Sequence, residues 1–164
     1  MTGSSVIQTA LGGTQWLLTN YLGDFTDADM FVRPVTSANH AAWQLGHLLE
    51  SERSMLLSQL PDAKMPELPA GFQSAMSAES AKADGPAGFL NKANLVSLFD
   101  AIRAATIAAV AGLSDADLDK PTTGSMAPFA PTLGAFLMLI SNHTLMHAGQ
   151  FVVVRRQLGK PILM

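Results

Sequence analysis

From residue 133 to residue 158 the side chains Leu133, Phe136, Ile140, His143, His147, Phe151, Val154 and Leu158 recur at steps of three and four. That is the period of one helix face, so the segment reads as a long helix whose apolar seam must be buried against other helices. Three more segments carry the same periodicity, and nothing shows the alternation or β-branched clustering of a strand. The expected class is all-α, a four-helix bundle. The first helix is expected over residues 5–22. The second starts after Pro34, Thr36 and Ser37, where a hydroxyl can cap it, and runs to Leu60, before the stop at Pro61. The third runs from its cap Asn91 to Gly112, where a left-handed residue is tolerated, and residues 114–118 form one capped turn. The fourth begins at the cap Thr132 and ends at Leu158, before Gly159 and Pro161.

Between the second and third helices, residues 61–90 collect Pro61, Pro66, Pro69, Gly71, Gly85, Pro86 and Gly88 with little periodicity. A connection of this length can travel the whole bundle, so the helices it joins need not be antiparallel neighbours, and it can lie over one end. At 164 residues the chain is expected to be a single domain over 1–164.

Charged residues make up only 14% of the chain against 48% hydrophobic, so a core can form, and apolar surface left over points to a homodimer. The net charge of -3 and the lone basic pair Arg155–Arg156 speak against a nucleic-acid partner. No uninterrupted apolar run reaches the ~18 residues of a membrane span, and the amino terminus lacks a basic segment, so a cytoplasmic protein without a membrane partner is expected. There is no cysteine, hence no disulfide, thiolate ligand or thiol nucleophile. A metal must be held by His, Asp, Glu or water.

His143 and His147 lie on the inward seam four residues apart, where Cβ atoms are about 5–6 Å apart and two imidazoles can reach one ion. The alternative is two unrelated buried histidines, each needing its own hydrogen-bond partner. On the second helix His40, Trp43, His47, Glu50, Ser54 and Leu57 share one unusually polar stripe. An inward His47 would be a third ligand, giving three neutral nitrogens with positions open for water or substrate, the pattern of catalytic sites. His40 has a capping or surface role, and Glu50 a solvated one, as the alternatives to ligand orientation, proton transfer or substrate contact; both are the catalytic candidates. Trp43 and the phenylalanines read as core, and Arg155 and Arg156 as cations at the carboxyl end of the fourth helix. The carboxylate-rich di-iron pattern and the HExxH signature are both missing, since Thr144 follows His143.

The stretches NHAAWQLGHLLESER (39–53), NKANLVSLFDAIR (91–103) and TLGAFLMLISNHTLMHAGQFVVVRRQLGKP (132–161) resemble the DinB-like, or YfiT-like, superfamily. The resemblance implies a four-helix bundle in which His47, His143 and His147 bind a divalent metal, with zinc, nickel or iron all suited to imidazole, and it implies homodimers. It further implies an enzyme acting on a small-molecule substrate, a transferase or isomerase using a low-molecular-weight thiol. Metal-dependent hydrolysis, or a dimeric protein that binds metal or a small molecule without catalysis, are the alternatives.

Overall fold

The computed structural model describes residues 1–77 and 79–162. Six α-helices account for most of it: α1 (Gly3–Leu22), α2 (Ala41–Gln59), a single turn α3 (Phe72–Ala75), α4 (Lys92–Ala111), a second single turn α5 (Asp115–Leu118) and α6 (Leu133–Gln157). Among the described residues there is no strand, only one isolated bridge between Pro121 and Thr132. Each long helix begins where a side chain satisfies a free backbone donor. Thr2, Asn91 and Thr132 accept from Ser5, Asn94 and Ala135, and Ser114 with Asp117 forms a reciprocal capping box on α5.

Two expected boundaries shift. α2 is capped by the imidazole Nδ1 of His40, which accepts the Trp43 N–H at 3.1 Å, not by a hydroxyl at Thr36 or Ser37. Those residues stay in turns because Arg33 draws the Ala38 carbonyl to its guanidinium at 2.8 Å. Gly112 does end α4 but in the right-handed region, with φ -83°; the left-handed glycine is Gly159 after α6, φ 66°.

Cross-helix pairs give the topology. Thr14 meets Ser141 and Tyr21 meets Arg155, so α1 and α6 run parallel. Ser4 bonds Val110 and Gln15 bonds Asp100, so α4 runs antiparallel to α1. Gln44 meets His147, while Gln59 at the other end of α2 reaches Thr123 just before α6, so α2 runs antiparallel to α6. α2 and α4 are therefore parallel, and the four contacting pairs α1–α6, α6–α2, α2–α4 and α4–α1 close the ring. Consecutive helices α1 and α2 sit across the diagonal.

Parallel neighbours α2 and α4 demand a crossover the length of the bundle. The connection supplies it by running back along α2 rather than lying over one end. Arg53 bonds the Pro66 carbonyl, Phe72 is buried in the core, Trp43 bonds the Ser77 carbonyl, and Phe89 packs edge-on against His40.

The core has two apolar clusters, one around Leu45, Leu49, Phe99 and Phe151 and the other around Leu11, Leu56, Phe136 and Ile140. Between them lies a polar waist. Arg103 is 0% exposed and donates through Nε and Nη2 to both carboxylate oxygens of Glu52, at 2.7 to 3.2 Å, through Nη1 to the Leu11 carbonyl and Thr14, and through Nη2 to Thr144. All five guanidinium N–H groups thus have acceptors, on α1, α2 and α6.

α4 and α6 are long and apolar enough to cross a membrane by length and composition, although no uninterrupted run is. In the fold each turns polar side chains into the bundle, Arg103 from α4 and His147 and Arg155 from α6.

Removing one partner of the waist leaves the other charge buried and unpaired. Arg103→Ala is expected to cost about 3–5 kcal/mol in urea unfolding followed by circular dichroism. The double change Glu52→Leu/Arg103→Met strands no charge and is expected to cost less than either truncation to alanine; a larger loss would contradict the waist's account.

Candidate metal centre

α2 and α6 are antiparallel neighbours, and their facing surfaces bring His47, His143 and His147 together. The ring centroids lie 4.9 to 5.5 Å apart, and one nitrogen from each ring falls within 4.8 Å of the others. Both inward-facing α6 rings come from the seam spacing of four, while His47 comes from the polar stripe of α2.

Gln44 orients the most enclosed ring. Its amide nitrogen donates to the Asn39 carbonyl at 2.5 Å, which turns its oxygen toward His147 Nδ1 at 2.8 Å. An amide oxygen only accepts, so Nδ1 carries the proton and Nε2 presents a lone pair. That Nε2 stands 3.2 Å from His143 Nε2. The second nitrogen either donates to this lone pair or shares a cation with it. Zinc bonds of about 2.0–2.1 Å at tetrahedral angles place donors about 3.3 Å apart, so the pair has ligand spacing. His47 Nδ1 meets the Ser51 hydroxyl at 3.4 Å, and its ring stacks on Trp43, 5.1 Å between centroids and 8° between planes.

Burial lowers the pKa of all three rings. For His147, 9% exposed, burial with the neighbouring His143 and His47 brings it to about 4. For His143 burial acts first and His47 second. For His47 burial outweighs the opposing pull of the Glu50 carboxylate. The rings are therefore neutral at physiological pH, the form that ligates. Three neutral imidazoles with one lone pair oriented by Gln44 fit a divalent ion of the zinc, nickel or iron kind.

The remaining sequence candidates fall elsewhere. Glu50 stands one turn beyond His47, half-buried and outside the three-ring group. His40 is 0% exposed, enclosed by Phe31 and Phe89 at 4.9 Å, and outside the three-ring group. Its Nδ1 is committed to the helix cap, and Nε2 has no hydrogen-bond partner among the described residues. It serves the cap and is no surface residue. Trp43 is half-buried beside His47 rather than in the core, and it lines a cleft of about 550 Å³ with Arg33, Asn39, Lys82 and Asp84. Arg155, in the last turn of α6, is buried and bonds the Pro161 carbonyl just beyond its own helix end at 2.8 Å and, across the bundle, the Tyr21 carbonyl and Asp24 at 2.6 Å. Gln44, Ser51 and the Glu52–Arg103 waist carried no sequence signal beyond their positions on helices.

The family model of the DinB superfamily matches residues 10–151. Two solved structures share the fold. A conserved protein from Enterococcus faecalis aligns with TM-score 0.72 and 17% identity, over 98% of this chain and 99% of its own. YfiT from Bacillus subtilis, described as a probable metal-dependent hydrolase with an unusual four-helix bundle topology, aligns with TM-score 0.68 and 15% identity, over 96% and 89%. No curated protein matches the sequence.

The buried rings make the fold acid-sensitive. In the unfolded chain histidine titrates near 6.5, whereas in the fold His40, desolvated and beside Arg33, titrates at about 4. Between those values the unfolded chain binds more protons, so stability is lost as pH falls from about 6.5 toward 4, by on the order of 3 kcal/mol for His40 alone. Urea unfolding of metal-free protein at pH 7 and pH 4.5 checks this, and His40→Asn, which keeps a cap acceptor, is expected to shrink the acid loss. Equal stability at both pH values would contradict it.

Proposed function

We propose, from the premise that the chain belongs to the DinB superfamily, that it is a metal-dependent enzyme whose His47, His143 and His147 hold one divalent ion. The 3.2 Å approach of His143 Nε2 to a His147 lone pair oriented by Gln44 carries the reading. Three protein donors leave coordination positions for a small-molecule substrate.

A divalent ion held there lowers the pKa of a coordinated thiol or water and supplies a nucleophile at neutral pH. The chain contributes no cysteine, so in a thiol-dependent transfer or isomerisation the sulfur arrives on a low-molecular-weight co-substrate. That is the first reading. The second is hydrolysis by activated water, favoured by the description of the structural neighbour YfiT. In either, Gln44 holds the His147 tautomer, and Glu50 is the carboxylate placed to accept a proton beside His47. The cysteine-free sequence needs no disulfide framework, which supports a cytoplasmic location.

The proposal includes a homodimer through the outer face of α1 and α6. These parallel neighbours carry no charged residue except Arg155 and Arg156. Trp16, Leu145, Met146 and Val153 are exposed on them, and Gly13 and Gly149 offer open space to an approaching helix.

Metal analysis after purification without chelator or nickel resin is expected to find about one divalent ion per chain. The apolar clusters do not depend on metal, so chelation is expected to lower Tm while the helical circular dichroism at room temperature persists. His143→Ala is expected to abolish the metal-dependent increment. A Tm identical with chelator and with saturating zinc, nickel or iron would refute the metal site. Screening the loaded protein with thiols and electrophiles, and separately with ester and amide substrates, separates the two reactions, each turnover being lost in His47→Ala.

For the dimer, light scattering at micromolar concentration is expected to give twice the chain mass. Trp16→Lys/Leu145→Lys is expected to give the chain mass, and a monomeric wild type would remove the dimer from the proposal.

A further inference from the structure

We propose that Trp43 is a positioning residue that couples the His47 ring to the crossover connection, so that metal at the three histidines and the docked connection stabilise each other. This rests on the metal reading above and adds the element that holds the α2 ligand in place.

His47 needs such support. His147 Nδ1 donates a short bond to the Gln44 amide oxygen at 2.8 Å, whereas the Nδ1 contact of His47 to Ser51 is long, at 3.4 Å. What fixes its plane is the indole four residues earlier, on the same helix face and nearly parallel to it at 8°. The indole is itself fixed from outside the helix, since its Nε1 donates to the Ser77 carbonyl at 3.2 Å.

The stretch Phe72–Ser77 that provides this carbonyl is anchored at two points ahead of the contact. Phe72 is buried in the apolar cluster around Leu45, Leu49, Phe99 and Phe151. The Met76 thioether lies directly on Gly46, where a Cβ would meet its sulfur at 2.2 Å. Gly46 immediately precedes His47, and Trp43 lies one turn before it, so the connection touches α2 at two positions leading into the ligand. A shift of the connection moves Trp43, and a shift of Trp43 frees the His47 ring. By thermodynamic reciprocity, an ion that holds His47 in its stacked orientation also favours the docked connection.

Zinc titration calorimetry and hydrogen exchange of peptides covering Phe72–Ser77 test the coupling, with metal-free melting curves to verify folding. Trp43→Ala is expected to weaken zinc binding about 10–100-fold, the usual effect of removing a residue that orients a ligand. Trp43→Phe keeps a ring to stack and is expected to restore most of the affinity. In wild type, zinc is expected to slow exchange at Met76, whose amide bonds the Gln73 carbonyl, and in Trp43→Ala it is expected not to. Trp43→Ala binding zinc as tightly as wild type overturns the proposal. So does wild-type exchange indifferent to bound zinc, which needs no variant to fold. If wild type takes up no zinc, nickel or iron, the metal reading falls and this one with it; if wild type binds and either of the first two results holds, this one falls alone.

Discussion

The buried guanidinium of Arg103 is the constraint around which the bundle is arranged. It projects from α4 with no solvent exposure, so each of its five N–H groups must find an acceptor inside the protein or the fold carries a large desolvation cost. The acceptors are distributed over the other three long helices: Leu11 and Thr14 on α1, Glu52 on α2, Thr144 on α6. Sliding any one helix by a turn would strand a donor. Apolar seams alone tolerate such slips, because one leucine replaces another; a planar fork with five directed donors does not. Glu52 and Thr144 belong to the two helices that carry the three histidines, and Thr144 directly follows His143. The waist therefore holds α2 against α6 in the register that sets His47 opposite His143 and His147.

The topology follows from the same economy and has consequences at the surface. Because α2 and α4 run parallel, the chain must return the full length of the bundle between them, and it does so along the outside of α2. That places Phe72, Met76 and Ser77 against the very helix that supplies His47. Parallel α1 and α6, on the other side, form a layer almost free of charge, sealed at one end where Arg155 grips the Tyr21 carbonyl and Asp24.

Helix existence and most caps were legible because they depend on local chemistry: periodicity, a hydroxyl or amide before the first turn, proline and glycine after the last. The inward face of His143 and His147 was legible for the same reason. Interactions that depend on which helix lies beside which were not. Glu52 and Arg103 are separated by 51 residues and look like ordinary surface charges of amphipathic helices. Gln44 reads as a polar residue among leucines until α6 is placed opposite it. Trp43 reads as core because indole is mostly apolar, yet its neighbours are a ligand ring and a loop carbonyl. A capping role for His40 was among its readings, but a hydroxyl before the helix was the expected cap, because serine, threonine or asparagine usually fills that role. Topology was open because a long connection permits either direction.

Two polar groups are embedded between α2 and α6, and their difference is what separates support from chemistry. At the waist every donor and acceptor is matched within the protein, so nothing is left to bind and the group can only hold structure. At the histidines the matching stops halfway. Gln44 satisfies one nitrogen of His147 and Ser51 approaches one of His47, while the nitrogens that converge have only each other, 3.2 Å apart for the α6 pair. Burial keeps the rings from resolving this by taking up protons at neutral pH. A fold that satisfies five donors on one arginine has the means to satisfy three imidazoles as well, through a serine or a backbone carbonyl. Converging nitrogens on rings held neutral, one of them oriented from behind by Gln44, are instead the arrangement that a cation completes.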